Sequence, residues 1–384
     1  MLRGGMRADA RIILPAFMIG FASSANYTNH APLVPTLMAQ FHFSQALAGL
    51  LTAGLFLGHA AMQVPGGHLA DRFGARPILS LALAIVCLGN FAIIFSTAYW
   101  QLLLWKSFTG VGTGTCFIAG VRYLAAYFTG ERLQVVQGYY GGSILLGSGV
   151  AIFAVPRVLA TIGWRGTFLS TGLVATAALL LWVVAAPSSK LSGHRESGFR
   201  SMMQSPQLWL LGLLHMASLG LVIVVGVWIT LLLRQAQNLP AQEAGFMGSM
   251  PLLLGIVSRP LGGILASRIG VPPFLMASFM MTATGCFLLS ASASLAAATI
   301  AILLLGCGCG LPFATLFKRA ATLFPRHAGA AMGLVNMMGI LMIVVGAPLM
   351  GWMADWSGNY RLSFAALGLF SLTAGTASFR IHKT

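Results

Sequence analysis

Long apolar runs alternate with short polar segments along the whole chain. Each run is long enough to cross a bilayer as a helix, which needs about 20 mostly apolar residues. The chain is therefore predicted to be an all-α membrane protein with twelve transmembrane helices. Their predicted ranges are 11–35, 45–66, 77–97, 101–128, 134–158, 164–186, 206–233, 243–266, 273–292, 296–319, 329–351 and 361–380.

The longest polar segment divides these helices six and six. Residues 187–205 are rich in Ser and Gly and contain Lys190, Arg195 and Arg200. We therefore predict an N-terminal six-helix bundle over residues 1–186, a cytoplasmic linker over 187–205 and a C-terminal six-helix bundle over 206–384.

A polar motif in the first half recurs in the second half. Residues 66–77 and 262–273 share Gly, Gly, Leu, Ala, Arg, Gly and Pro at matching positions, with a constant offset of 196. At the same offset, the glycines at 110, 112 and 114 fall on those at 306, 308 and 310. Two copies in the same orientation predict pseudo-symmetric bundles related by an axis along the membrane normal.

Composition agrees with this pattern. Hydrophobic residues make up 58% of the chain and charged residues only 7%, whereas a soluble domain has about 25% charged residues. The net charge of +16 does not indicate a nucleic-acid partner, because the basic residues are scattered between apolar runs. If both termini are cytoplasmic, most Lys and Arg residues lie in inner loops, as the positive-inside rule requires. We therefore expect a multi-pass protein of the inner (cytoplasmic) membrane.

No feature of the sequence indicates enzymatic chemistry. The five cysteines lie inside apolar runs and lack the spacing of metal ligands or of a redox pair. The stretch 110–114 resembles half of a nucleotide-binding loop, but no strand precedes it. We expect no enzymatic activity, no cofactor and no bound metal.

The first copy of the motif resembles the signature of the major facilitator superfamily of transporters. That signature, Gly-x-Leu-x-Asp-Arg-x-Gly-x-Arg, is present here as Gly67, Leu69, Asp71, Arg72, Gly74 and Arg76. The resemblance implies two six-helix bundles, alternating access to a solute held near the midplane, and a cytoplasmic gate. It assigns to this gate the residues Gly67, Asp71, Arg72 and Arg76.

The second copy departs from the signature. Ser267 stands where the first copy has Asp71, so we expect a weaker gate at Arg268, with Arg259 as a further gate residue one or two turns earlier. The family's pattern for drug/proton antiporters requires Gly-Pro on the fifth helix, where this chain has Ala151-Ile152. This departure weakens the drug-exporter interpretation.

Deep charges point to the class of solute. None of the six acidic residues falls deep in a predicted helix, whereas five basic or titratable residues do: Lys106, Arg122, Arg259, His59 and His215. Charged groups inside a membrane usually face a cavity or extend to an interface. A cavity with such groups favours an anionic or neutral polar solute.

These residues have specific candidate roles. Lys106 and Arg122 are candidate substrate contacts; the alternatives are a lysine extended to the outer interface and an arginine paired within the gate. His59 and His215 are candidate proton carriers, because histidine titrates near neutral pH. The alternative for both histidines is a hydrogen-bonded position in the core.

The first predicted helix carries a polar stripe. Ser23, Asn26, Tyr27 and His30 share one face, because they are spaced i, i+3, i+4 and i+7. Asn26, Tyr27 and His30 are therefore candidate substrate contacts, together with Tyr139 on the fifth helix. Hydrogen bonding between helices is the alternative role.

Together these features predict a secondary active transporter of a small organic or inorganic anion that works as a monomer by alternating access. Its partners would be the solute, the lipid bilayer and, through symport, protons. Facilitated diffusion or exchange also fits a membrane domain without buried carboxylates. The alternative function is a proton-coupled drug or metabolite exporter, and a non-transporting sensor is a third.

Overall fold

The computed structural model describes residues 2–187, 199–291, 294–325 and 328–381, and these residues contain helices and no strands. The α-helices are α1 (Leu2–Thr28), α2 (Val34–Phe41), α3 (Gln45–Ala61), α4 (Pro65–Phe73), α5 (Ala75–Ile93), α6 (Tyr99–Ala125), α7 (Gly130–Ala185), α8 (Phe199–Met203), α9 (Pro206–His215), α10 (Leu221–Gln237), α11 (Ala241–Ile269), α12 (Val271–Ala291), α13 (Leu295–Gly310), α14 (Pro312–Leu323), α15 (Ala328–Ser357) and α16 (Arg361–Ala377).

The helices account for twelve membrane spans. Among the described residues, eight helices are long and apolar enough to cross a membrane, or nine when α3 and α4, which are bent by 45°, count as one span. The longest helix, α7, is interrupted at Gly163, whose φ of 70° is non-helical, so it supplies two spans. The long helices α1 and α6 complete the set.

Two compact units divide the chain. One comprises Met1–Phe41 and Gly54–Arg195, and the other comprises His42–Ala53 and Glu196–Thr384. The first half of α3 therefore belongs to the second unit. The bundle boundaries at the linker remain a prediction, because residues 188–198 of that segment lie outside the described part of the chain.

Within the first unit, α1 packs mainly on α7, and α5 packs on α6 and α7. Within the second unit, α12 packs on α13 and α16, and α11 packs on α13. Small residues allow these close approaches. A Cβ added to Gly112 of α6 would lie 2.6 Å from the Ala82 carbonyl oxygen, and one added to Gly308 of α13 would lie 2.8 Å from that of Ser278.

These two contacts are equivalent under the offset of 196, and the motif loops repeat in the same way. The loop glycines Gly74 and Gly270 have φ values of 90° and 92°, with ψ values of 146° and 147°. Only glycine adopts such a φ readily. The backbone thus confirms the pseudo-symmetric repeat predicted from the sequence.

The first predicted helix is broken in the structure. α1 ends at Thr28, a 3-10 turn follows at Ala31–Leu33, and α2 begins at Val34. The cause is local, because Pro32 has no N–H to donate to the carbonyl of Thr28 and disfavours a helical conformation at Ala31. The predicted range 11–35 missed this break.

Candidate functional site

The motif loop of the first unit holds an ion pair. Asp71 near the end of α4 accepts two hydrogen bonds from Nη1 of Arg122, at 3.0 Å to Oδ1 and 2.8 Å to Oδ2. The two side chains are 21% and 28% exposed, respectively. Gly67 is adjacent to this pair, since a Cβ added there would lie in van der Waals contact with Arg122 Nη2, at 3.5 Å. Arg122 thus pairs with the motif, which was its alternative role in the sequence analysis.

The two motif arginines contact other groups. The guanidinium of Arg72 lies 5.1 Å from the Phe73 ring centre. Arg76 donates from Nη2 to the Val183 carbonyl oxygen at 2.7 Å, and Trp182 donates back to the Arg76 carbonyl oxygen at 3.1 Å. A cation near the C-terminus of a helix is favoured by the helix dipole, so Arg76 fastens the start of α5 to the end of α7.

In the second copy, the motif carries no carboxylate. The Ser267 hydroxyl donates to the Ile264 carbonyl oxygen of its own helix at 2.7 Å, and Arg268 is exposed. The gate roles predicted for Arg268 and for the first motif remain predictions.

A buried amide network surrounds Lys106. Its ammonium is 1% exposed and donates to the Asn26 carbonyl oxygen at 2.7 Å and to Asn29 Oδ1 at 2.8 Å. The Asn29 amide nitrogen lies 3.1 Å from Asn26 Oδ1, 3.3 Å from Asn90 Oδ1 and 3.0 Å from Thr171 Oγ1. The network joins α1, α5, α6 and α7, so Lys106 points into its unit rather than extending to the outer interface.

The polar stripe of α1 takes part in this network. The Asn26 side chain donates to the Ala22 carbonyl oxygen at 2.9 Å. His30 is fully buried and interacts electrostatically with Lys106. The side chains of Ser23 and Asn26 thus bond within α1, and the bond to another helix comes from the Asn26 backbone carbonyl. The predicted substrate contacts of Asn26 and His30 stay predictions.

His59 lies in an aromatic cluster of the first unit. Its ring is 5.5 Å from that of Tyr27, 5.7 Å from that of Phe56 and 5.9 Å from that of Phe117. Nδ1 of His59 is 3.2 Å from Thr113 Oγ1. His59 is thus a buried, hydrogen-bonded histidine, and its predicted proton-carrying role is untested.

The two neighbouring tyrosines of α7 differ in their surroundings. Tyr139, the predicted substrate contact, is 56% exposed. Tyr140 is buried and donates to the Cys116 carbonyl oxygen at 2.7 Å. Tyr139 therefore stands apart from the amide network.

The second unit contains a different cluster, built around His215 and Arg259. The His215 ring is 5.8 Å from that of Phe313 and 5.1 Å from that of Phe317. The Arg259 guanidinium carbon lies 3.9 Å from the Phe313 ring centre, and Arg259 is partly exposed. His215 is fully buried, and its two ring nitrogens have no hydrogen-bond partner among the described residues.

A local irregularity follows His215. A π-helical turn at Met216–Gly220 separates α9 from α10. Within this turn, Ser218 donates to the Cys309 carbonyl oxygen at 2.6 Å. Such turns are rare and occur frequently at functional sites, which makes this cluster the stronger candidate site of the second unit.

Comparison with known proteins identifies the family. The sequence model of the Major Facilitator Superfamily matches residues 16–339 and, in a second match, residues 208–383. The chain belongs to the Major Facilitator Superfamily. It is therefore a multi-pass membrane transporter rather than an enzyme, as the motif resemblance implied.

Two bacterial relatives align with this superfamily member over most of its length. A protein of Staphylococcus haemolyticus (strain JCSC1435) named probable nitrate transporter NarT is 24% identical over 99% of the chain and 98% of its own length. A nitrite extrusion protein of Bacillus subtilis (strain 168) is 25% identical over 89% of the chain and 87% of its own length. The solved structure of a D-xylose-proton symporter shares the fold, with a TM-score of 0.81, 16% identity, and coverage of 97% and 98%.

Several polar residues of interest escaped the sequence analysis. Asn29, Asn90 and Thr171 complete the network of Lys106, and Asn in an apolar helix was the available signal. Asp355 accepts hydrogen bonds from the backbone N–H groups of Gln45 at 3.1 Å and Ala46 at 2.8 Å, at the N-terminus of α3. No local pattern could have paired these groups, which are about 310 residues apart.

Proposed function

We propose that this protein carries a small planar oxyanion of the nitrate or nitrite type across the cell membrane by alternating access. The names of the two relatives support this class of solute. The deep ionisable side chains of the helices, which are basic or titratable rather than acidic, support an anion independently of those names.

The observation that carries the proposal is the guanidinium of Arg259, on an apolar helix, whose central carbon lies 3.9 Å from the Phe313 ring centre. The N–H groups of a guanidinium lie in one plane and match the two oxygens of a planar anion, so an aromatic ring over its face does not prevent such a contact. The aromatic surroundings lower the local dielectric and so strengthen an ionic contact.

We assign the anion contact to Arg259 in preference to Lys106. The Lys106 ammonium is already bound to two oxygens of α1 and is closed off from solvent. Arg259 is partly exposed. Its predicted gate role is replaced in this proposal by a binding role.

We also propose that His215 carries the coupled proton. His215 and Arg259 both lie against the Phe313 ring, so the charge of His215 would respond to an anion bound there. His59 is held by Thr113 among aromatic rings of the other unit, and no basic side chain is among its described contacts.

The test is uptake into proteoliposomes containing the purified protein. We expect uptake of nitrate or nitrite to exceed that of protein-free vesicles, and an inwardly directed proton gradient to accelerate it. Uptake of a lipophilic cation such as tetraphenylphosphonium with no anion uptake would instead support the exporter alternative. Anion uptake at the same rate with and without the proton gradient would support the proposed solute and contradict the proposed proton coupling.

Export of nitrite is the second candidate function. It is favoured by the name of the Bacillus subtilis relative. Vesicles loaded with nitrite distinguish the two directions, since an exporter oriented as in the cell would empty right-side-out vesicles against a nitrite gradient when energised.

A further inference from the structure

The broken end of α1 exposes backbone oxygens inside the first unit. The last four carbonyls of any helix lack partners within it, and the turn after Thr28 leaves the Asn26 carbonyl oxygen among them. This end also carries the negative pole of the helix dipole. A buried position of this kind requires a donor or a cation.

Lys106 supplies that cation from α6. Both hydrogen bonds that the structure describes for its ammonium go to neutral oxygens, the Asn26 carbonyl and Asn29 Oδ1. His30, which is fully buried, is the nearby titratable group on the α1 side. The charge is therefore stabilised by oxygen dipoles and by the helix end.

The second oxygen is held in position by other helices. The Asn29 amide nitrogen is within hydrogen-bond distance of Asn90 on α5 and Thr171 on α7. Since one end of the amide is fixed by these acceptors, the opposite end points its oxygen at Lys106. We therefore expect the Asn29 oxygen to keep its orientation when the ammonium is removed.

Broken helices in other transporter folds use such freed carbonyls and helix C-termini to coordinate sodium ions. We propose that the Asn26 carbonyl oxygen and Asn29 Oδ1 form a monovalent-cation site whose resident cation is the tethered ammonium of Lys106. The wild-type protein then needs no sodium ion to keep α1 in this conformation. Removing the ammonium would turn the site into one that sodium fills.

The test is thermal unfolding of purified protein in detergent at constant ionic strength, comparing NaCl with choline chloride. Wild-type protein is expected to unfold at the same temperature in both salts. Lys106→Ser, which vacates the site and adds a hydroxyl oxygen, is expected to unfold at a lower temperature in choline and to recover with sodium in a saturable manner.

Two further variants isolate the site. Lys106→Met fills the space with an apolar chain of similar length, so sodium should leave its unfolding temperature unchanged. Adding Asn29→Leu to Lys106→Ser removes the second oxygen and should abolish the recovery. Both variants change only residues of the proposed cation site.

The proposal would be overturned by a Lys106→Ser protein that is equally stable in both salts or that cannot be obtained folded in sodium. A sodium effect of equal size in Lys106→Met would overturn it as well. No transported solute enters these measurements, so they are independent of the proposed function, which can fail while the cation site stands.

Discussion

The two units share a backbone and differ in the chemistry of their interiors. At the offset of 196, every member of the amide network of the first unit meets a buried apolar residue or cysteine in the second. Asn26, Asn29, Asn90, Lys106 and Thr171 correspond to Val222, Val225, Cys286, Ile302 and Leu367.

The converse holds for the cluster of the second unit. His215 and Arg259 correspond to Ile19 and Gln63, while the phenylalanine beside them is kept in both copies as Phe117 and Phe313. Helix packing thus follows the repeat, whereas the buried polar groups of these two clusters do not. We therefore expect the residues that bind the solute and couple its transport to lie where the two copies differ.

The largest stability effect should come from replacing Lys106 by isoleucine, the residue at the equivalent position of the second unit. Lys106→Ile leaves the Asn26 carbonyl and Asn29 Oδ1 without their donor, and each unsatisfied buried acceptor costs about 1–3 kcal/mol. We therefore expect a clear loss of stability in denaturant or thermal unfolding.

The matched variant carries the residue of the second unit at all five positions of the amide network, including Lys106→Ile. Replacing both partners of buried polar contacts by apolar groups is often close to neutral. The five-fold variant should thus be more stable than Lys106→Ile alone. A five-fold variant less stable than Lys106→Ile alone would show that the apolar interior of the second unit cannot replace the polar interior of the first.

A second effect tests the shared helix contact at the motif. A Cβ on Gly262 would lie 1.8 Å from the Leu311 carbonyl oxygen, whereas one on its neighbour Gly263 would meet Ala314 only at 3.6 Å. Overpacking costs about 1–3 kcal/mol, so Gly262→Ala should lower the unfolding temperature and Gly263→Ala should not. Equal effects of the two variants would argue against this contact.

The smallest stability effect concerns the motif ion pair. Asp71 and Arg122 are partly exposed, and pairs of this kind contribute about 0.2–1 kcal/mol. A double-mutant cycle with Asp71→Asn and Arg122→Gln should give a coupling energy in that range. The second copy offers the reverse experiment, because Ser267→Asp places a carboxylate at the position equivalent to Asp71, with Lys318 at the position equivalent to Arg122. A coupling energy of zero in the first copy would remove the pair from the gate.

Much of the fold follows from the sequence because bilayer thickness fixes the length of an apolar helix, and because a constant offset between copies implies equal backbones. Gly74 and Gly270 illustrate this, since the motif predicted two like loops and their dihedral angles agree. The break after Thr28 could have been anticipated from Pro32, but the apolar residues around it concealed it.

The site was less accessible to sequence reasoning. Deep basic residues could be identified from their position in apolar runs, yet not the direction in which each side chain points. Lys106 and Arg259 looked alike in sequence, and their environments differ because partners such as Asn29 and Phe313 come from segments far away in the chain. Such pairings arise from tertiary packing, which periodicity does not encode.

The central claim is that the guanidinium of Arg259 binds the transported anion. The chain offers a matched control in Arg157, whose guanidinium carbon also lies over a phenylalanine ring, at 4.0 Å from the Phe153 ring centre, but which is exposed. The deciding measurement is nitrate uptake by proteoliposomes carrying Arg259→Gln or Arg157→Gln at equal protein density.

Removing one partner of a buried charged hydrogen bond costs about 2–5 kcal/mol, and 1.4 kcal/mol is a factor of about ten. We expect Arg259→Gln to lower the uptake efficiency at subsaturating nitrate at least about 30-fold, and Arg157→Gln to leave it within about twofold. Folded Arg259→Gln protein that transports nitrate as well as the Arg157→Gln control would contradict the claim.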